Sequence, residues 1–309
     1  MDIRAMKHAI GIDLGGTKIN AGVIRQDGVI VTSQRYETPL EGSGEDILKA
    51  IVSAVRTLQA DFGALPVGVG SPGLIEYPSG VILGCTPNLP DWQGRSLKQY
   101  LENALQVPVQ VDNDANAATW GEFRAGAAQG FHHLVMLTLG TGLGSGMIFN
   151  GHILRGFHGL GIGFGHMIVE RSGRFCNCGQ QGCLEAYVSG KGLARSYQLR
   201  GGDLAVKGPE IFDRAARQEP LAQAAVNEFI HMLGVGVTNI LNTLAPEALL
   251  IGGGISAQGE ERLFAPLRTK VAALMSMPLH HPPMIRAAAL GPDAGLIGAG
   301  FLAIDYLNE

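Results

Sequence analysis

Three groups of residues in this chain have the types and spacing to do chemistry together. Val111-Asp112-Asn113-Asp114-Ala115-Asn116 lies between two glycine-rich runs, Asp13-Leu14-Gly15-Gly16-Thr17-Lys18 and Leu139-Gly140-Thr141-Gly142-Leu143-Gly144. A carboxylate between two phosphate-binding loops is what direct phosphoryl transfer to an alcohol requires. A hydroxyl is a poor nucleophile, and Asp114 placed within about 3 Å of it would orient it and accept its proton. Gly15, Gly16 and Thr17 bring backbone N–H groups close to phosphate oxygens, Thr17 adds a hydroxyl, and Gly140, Thr141, Gly142 and Gly144 do the same a second time. Lys18 reads equally as a phosphate contact and as a solvated side chain. Taken alone, Asp112, Asn113, Asp114 and Asn116 also read as an Asx turn capping a helix, and either glycine loop as a tight β turn. The third group is His166 with Cys176, Cys178 and Cys183: one imidazole and three sulfurs, a tetrahedral Zn²⁺ set with no open position and therefore structural. A chance grouping of three cysteines is its alternative.

These residues must be held by alternating strands and helices. Ala9 to Ile12 reads as a strand ending at Asp13, and Ile19 to Ile24 as a second beyond the Gly15-Gly16-Thr17 turn. Val29 to Arg35 reads as a third strand, so the first glycine loop sits in a hairpin and not in the strand-to-helix passage of a dinucleotide fold. Ile47, Ile51, Val55, Leu58 and Phe62 recur at helical spacing behind a Ser43 cap. A strand from Pro66 to Gly70, a turn at Ser71-Pro72-Gly73, a helix from Arg95 to Ala104 and a strand from Val107 to Val111 follow. A helix starting near Asn116 would leave Asp114 at the C-terminal end of a strand, a habitual ligand position in α/β proteins.

His133 to Leu139 reads as a central strand, and Gly146 to Ile153 as a hairpin turning at Asn150-Gly151. Helices are expected at Cys183 to Leu199, Pro209 to Gln218, Leu221 to Leu244, Glu261 to Met275 and Ala294 to Tyr306. Strands at Leu249 to Ile251 and Ile285 to Ala289 alternate with them. Two hairpin units carrying glycine loops suggest a duplicated architecture.

Length and composition restrict the partners. The chain has 309 residues, enough for two domains, with 45 glycines in non-repeating clusters that imply many turns or ligand loops. The net charge of -4 and the lack of a basic cluster argue against nucleic acid. No stretch reads as the roughly 20 apolar residues of a membrane span, and the first eight residues lack the apolar core of a secretory signal. A local cysteine cluster plus Cys85 points to a reducing compartment, hence the cytoplasm, over a disulfide framework. His132, His133, His280 and His281 read as loop or surface residues, and Met6, Met232 and Met275 as apolar packing.

The chain resembles the ROK (repressor, open reading frame, kinase) family, above all its bacterial glucokinase-like members. The matching runs, in order, are DLGGTK at 13 to 18, GSPG at 70 to 73, PNLPDW at 87 to 92, DNDAN at 112 to 116, LGTGLG at 139 to 144, the His-Cys cluster and IGGGIS at 251 to 256. The resemblance implies an α/β, two-domain actin- and hexokinase-like (ribonuclease H-like) ATPase fold, with ATP and sugar meeting in the cleft between the domains. The expected division is 1–121 plus a returning 291–309, and 122–290.

The resemblance also implies roles. Asp114 is the base that serves the 6-hydroxyl of a hexose, glucose first, and Asn113 its neighbouring sugar ligand. Asp13 helps place Mg²⁺ near the phosphates of ATP. Gly252, Gly253, Gly254 and Ser256 form the nucleotide-side loop, where a plain strand-to-helix turn is the alternative. Asn88 is a sugar-side residue or part of a Pro-Asn turn. Glu185 receives the C1/C2 side of the sugar or is a surface charge near a helix start. His166 both binds zinc and faces the sugar, and homodimers are expected.

One departure stands out. The family run Gly-Glu-x-Gly-His is Ile162-Gly163-Phe164-Gly165-His166 here, so Gly163 replaces a sugar-binding carboxylate. That keeps N-acetylhexosamine kinase, fructokinase and a catalytically weak sugar-binding protein open beside glucokinase. Family repressors carry a helix-turn-helix domain before the first glycine motif. The 12 residues ahead of Asp13 make that the poorer expectation.

Overall fold

The computed structural model describes residues 7–84, 88–161, 163–275 and 283–306. Met6, Cys85, Thr86, Pro87, Ile162, His280 and His281 lie outside the described residues. In chain order the first elements are β1 (His8–Leu14), β2 (Lys18–Arg25), β3 (Ile30–Glu37), α1 (Gly44–Phe62), β4 (Val67–Ser71), β5 (Leu74–Glu76) and β6 (Val81–Gly84). Then come α2 (Leu97–Leu105), β7 (Val109–Asn113), α3 (Asp114–Ala125), β8 (Leu134–Leu139), β9 (Leu143–Phe149) and β10 (His152–Ile153). The remainder is α4 (Glu185–Val188), α5 (Gly190–Leu199), α6 (Gly208–Ala216), α7 (Pro220–Leu244), β11 (Ala248–Gly252), α8 (Ala265–Leu274), β12 (Met284–Ala287) and α9 (Ala294–Tyr306). Two compact units result: Met1–Gly130 with Gly146–Ile162 and Leu290–Glu309, and Phe131–Ser145 with Gly163–Ala289.

The first unit is built on a sheet of order β3-β2-β1-β4-β7. β1 runs antiparallel to β2 and parallel to β4, and β4 runs parallel to β7. Side chains alternate across β1, so Ile10, Ile12 and Leu14 join Ile47, Ile51 and Val55 of α1 in one core. Ala9 packs on the other side with Leu296, Phe301 and Ile304 of α9. That second face is lined with glycine for a steric reason. A methyl at Gly11 would strike the Leu296 carbonyl oxygen, and one at Gly68 the Ala299 carbonyl oxygen, so α9 lies with its backbone on the sheet. α1 begins as expected at Ser43, whose backbone N–H and hydroxyl both donate to Asp46 at 2.8 Å.

In the second unit β8 lies parallel to β11 and β11 parallel to β12, with β9 beside β8. The chain enters the first unit within β9, where Ile148 and Phe149 pair with β10 across the expected Asn150-Gly151 turn. Both turn residues have positive φ, 51° and 77°. Strand order around β1 and around β8 is the same, an adjacent hairpin on one side and two parallel strands on the other. The duplicated α/β architecture is therefore present.

Several elements differ from expectation. α3 starts at Asp114 and not near Asn116, because Asn113 caps it. The expected helix from Cys183 to Leu199 is split at Ser189, whose hydroxyl caps α5 by accepting from Gly192 N–H. The hairpin β5–β6 has strands too short to show a periodic pattern. α7 is long and apolar enough to cross a bilayer by length and composition, contrary to the expectation that no stretch is. Here it is a core helix, burying Phe229, Leu233, Val237 and Leu241 among its neighbours.

Candidate active site

β7 delivers Asp112, Asn113 and Asp114 to the strand-helix junction, and each carries a separate load. The Asn113 side-chain oxygen accepts from the N–H groups of Ala115 (2.9 Å) and Asn116 (3.3 Å), while its amide nitrogen donates to Gly73 O (3.0 Å). The cap and the ligand readings of this segment are thus compatible, because capping uses the oxygen and leaves one amide hydrogen over. Asp112 is buried and fully committed. One oxygen accepts from Asn113 N–H and Asn116 Nδ2, both at 2.8 Å, and the other from Arg155 Nε at 2.7 Å. Arg155 in turn lies 3.8 Å from the centroid of the Tyr77 ring.

Asp114 is the carboxylate with capacity to spare. One of its oxygens accepts from Ala115 N–H at 2.9 Å, and the Asn113 side chain also stands within hydrogen-bonding reach of the carboxylate, which leaves acceptor sites over. Burial, followed by the nearby negative charge of Asp13, pushes its carboxyl up to about 6, against the pull of the helix-start N–H groups and Asn113. At neutral pH it is still mostly ionised, close to the operating range of an efficient general base.

Asp13, near the end of β1, is also raised by burial, with Asn20 and Arg35 opposing and Asp293 adding to the shift. Its oxygen accepts from Asn20 Nδ2 at 2.9 Å, and Asn20 in turn accepts from Arg35 at 2.8 Å. Gly295 in the first turn of α9 is a glycine because a methyl there would come within 2.7 Å of the Asp13 carboxylate. Gly15, Gly16 and Thr17 form the β1–β2 turn, closed by Gly15 N–H donating to Lys18 O at 2.8 Å. The N–H groups of Gly16 and Thr17 donate to no protein acceptor among the described residues, and Thr17 and Lys18 are exposed. Asn88 approaches Gly16, its Cβ 3.6 Å from where a methyl would stand. The first unit thus gathers Asp13, Gly15, Gly16, Thr17, Lys18, Asn88, Asn113 and Asp114.

The second unit gathers the rest. Gly140, Thr141 and Gly142 form the β8–β9 turn, with Gly140 N–H donating to Gly142 O at 3.0 Å and Gly144 already inside β9. Gly253 (φ 80°) sits against this loop, since a methyl there would strike Leu139. Gly252, Gly254 and Ser256 complete the β11 end, with the Ser256 hydroxyl donating to Gly253 O at 2.7 Å. Glu185, at the start of α4, accepts from Leu143 N–H at 2.8 Å with one oxygen and has Cys176 Sγ 3.7 Å from the other. It links the glycine loop to the cysteine cluster.

The ligand atoms of His166, Cys176, Cys178 and Cys183 all lie within 4.8 Å of one another. Cys176 Sγ is 3.7 Å from His166 Nδ1, and Cys178 Sγ is 3.6 Å from Cys183 Sγ. Donors on a tetrahedral zinc at about 2.3 Å stand about 3.8 Å apart, so small side-chain movements bring the set onto that ion. The three cysteines are free thiols, and no disulfide joins them. His132 and His133 donate their backbone N–H groups to Glu247 at 2.6 and 2.7 Å, which makes them loop residues as expected.

Arg155 and Tyr77 were not legible as part of this site. The only signal was indirect: a carboxylate buried on a strand needs a partner, and Arg155 follows the Asn150-Gly151 turn closely enough to supply one.

Known proteins resemble this chain over nearly its whole length. The model of the ROK family matches residues 9–306. A glucokinase of Thermotoga maritima is 35% identical over 94% of this chain and 95% of its own length. An N-acetyl-D-glucosamine kinase of Salmonella paratyphi B is 33% identical over 94% of this chain and 98% of its own. Among solved structures, a ROK family glucokinase from Streptomyces griseus in complex with glucose and AMPPNP superposes with a TM-score of 0.83. It is 35% identical, covering 96% of this chain and 99% of that one.

Proposed function

The chain belongs to the ROK family, and from that premise we propose that it transfers the terminal phosphoryl group of ATP to the 6-hydroxyl of a hexose, glucose first. The observation that carries this reading is Asp114: a desolvated carboxylate with acceptor capacity to spare at a strand-helix junction. Its carboxylate takes the proton of the sugar hydroxyl as the hydroxyl oxygen bonds to phosphorus and the bond to the ADP oxygen breaks. Asn113 offers its remaining amide hydrogen to a neighbouring sugar oxygen, and Asn88, His166 and Glu185 are the further sugar contacts.

Mg–ATP is the co-substrate. The Gly15–Thr17 and Gly140–Gly144 backbones cradle its phosphates, Asp13 serves the magnesium, and Gly252, Gly253, Gly254 and Ser256 line the nucleotide side. His166, Cys176, Cys178 and Cys183 hold a structural Zn²⁺, which supplies rigidity and no open coordination position. We expect a cytoplasmic homodimer.

The test is sugar-dependent ADP release with Mg–ATP across glucose, mannose, fructose, N-acetylglucosamine and N-acetylmannosamine, with Asp114→Asn as control. A glucose rate that collapses in the control supports the reading; an Asp114→Asn protein with near-wild-type turnover removes it. A second reading, an N-acetylhexosamine kinase, is favoured by Gly163. Among the described residues beyond its chain neighbours, a methyl at that exposed position would have only His166 Cδ2 nearby, at 3.9 Å, which leaves room beside the ligand cluster for a C2 substituent. Preference for an N-acetylated sugar that Gly163→Glu reverses toward glucose would establish it.

A further inference from the structure

The first unit carries a pocket of about 70 Å³, partly open to solvent, on the side of β7 that Gln110 and Asp112 face as alternate residues of the strand. Tyr77, Trp120, Arg155 and Asp305 line it with them. Its hydrogen bonding is lopsided. Gln110 is only 5% exposed, and its Nε2 finds no acceptor among the described residues. Arg155 spends Nε on Asp112 and stacks on Tyr77, and its Nη groups meet no protein acceptor among the described residues.

The two carboxylates in the lining are already supplied with donors. Asp112 has the three described above, and Asp305 accepts from Trp120 Nε1 at 2.9 Å and from Arg124. Donors are therefore in excess, and a buried N–H without an acceptor is a feature that needs an occupant. An arginine fork beside an amide N–H suits the paired oxygens of a carboxylate. At about 10–15 Å³ of such space per water, the pocket has room for several waters or for a molecule of four or five non-hydrogen atoms.

We propose that this cavity is a binding site for a small monocarboxylate of acetate size, held by Gln110 Nε2 and the Arg155 Nη groups. Occupancy reaches the reaction through Arg155. A carboxylate there competes for the guanidinium that pins Asp112, and Asp112 holds the Asn113 N–H next to the proposed base. The site would make the enzyme responsive to a small organic acid.

Trp120 lines the cavity and supplies the readout. In a Trp92→Phe background it is the sole indole. Sodium acetate is titrated against sodium chloride at matched ionic strength, with no ATP or sugar present. The expected result is a saturable Trp120 fluorescence change specific to acetate, its midpoint raised about tenfold or more in Gln110→Leu. Equal responses to both salts, or an unchanged midpoint in Gln110→Leu, would overturn the proposal. If Gln110→Leu does not fold, ¹³C-acetate is added to the wild-type protein. NOEs from its methyl group to the Trp120 ring support the site, and their absence at saturating acetate, with waters only in the cavity, sinks it. Because binding is read without turnover, its failure is distinct from failure of the kinase reading.

Discussion

At the scale of single residues, Asp114 makes two predictions of opposite sign. Its carboxyl is raised from 3.8 to about 6 by burial and by Asp13, so the ionised form that acts as base is lost as pH falls through about 6. The rate kcat/KM should fall about tenfold per pH unit below that point and be flat just above it, as a pH profile would show. Asp114→Asn should lower kcat by about 10²- to 10⁴-fold with sugar affinity retained by calorimetry. Stability runs the other way. A group with a raised folded-state pKa favours folding most below its unfolded value and loses that contribution as pH rises through the folded one. Above pH 6 the buried charge is a burden, so Asp114→Asn should raise stability by about 1–3 kcal/mol at pH 8, with the gain vanishing below pH 4. Denaturant melts at both pH values check it. Asp112 differs because Arg155 neutralises it. Arg155→Met leaves a buried carboxylate short of a partner and should cost about 3 kcal/mol or more, with Asp112→Asn/Arg155→Met recovering part of the loss. A double-mutant cycle that shows no coupling would remove Arg155 as the pin of this segment.

At the scale of elements, α9 shows what was and was not legible in the chain. Its bounds, Ala294 to Tyr306, follow from the sequence and agree with the structure, but the sequence gives no reason for its glycines. Their purpose depends on residues far away: a methyl at Gly298 would collide with the Ala117 carbonyl oxygen, and one at Gly121 would come within 2.6 Å of the Ala294 carbonyl oxygen. α3 and α9 thus pack backbone to backbone, which holds the Asp114 helix start and the Gly295 approach to Asp13 in place. Gly298→Ala should cost about 3 kcal/mol or more, since neither helix backbone is able to yield, and a thermal melt within 1–2 °C of wild type would contradict that packing. The strands with glycine loops were legible because hairpin punctuation is local. The start of α3 was misplaced by two residues, because the Asx pattern admits a cap at Asn113 or at a later position. Ser189 broke an expected helix because Gly190 N–H is drawn to Gly140 O at 2.8 Å, a tertiary bond that no local pattern announces. Arg155 was missed for the same reason, its partner Asp112 lying far back in the chain on β7.

At the scale of the whole molecule, neither unit is a continuous stretch of chain. The chain passes between them after residues 130, 145, 162 and 289, and the first unit is completed only when α9 returns to β1 and β4. The cysteine cluster, by contrast, draws all four donors from residues 166 to 183 of the second unit. Binding energy of a structural zinc is folding energy of the segment that supplies its ligands, and it is released where those ligands are. That segment includes the bridges Ile168–Cys183 and Phe175–Gln181 and leads into Glu185, which holds Leu143 N–H. Stripping zinc with a strong chelator should therefore raise hydrogen exchange in peptides from 163 to 188 and in the Gly140–Gly144 loop. Peptides from β1, β7, α3 and α9 should keep their protection, because their core is formed by the opposite unit's own residues. In kinetics the same treatment should raise KM for the sugar more than it lowers kcat, since Asp114 and its pin remain in place. Exchange that rises uniformly along the chain would mean that the two units unfold as one, and that the zinc supports the base as directly as it supports the loop.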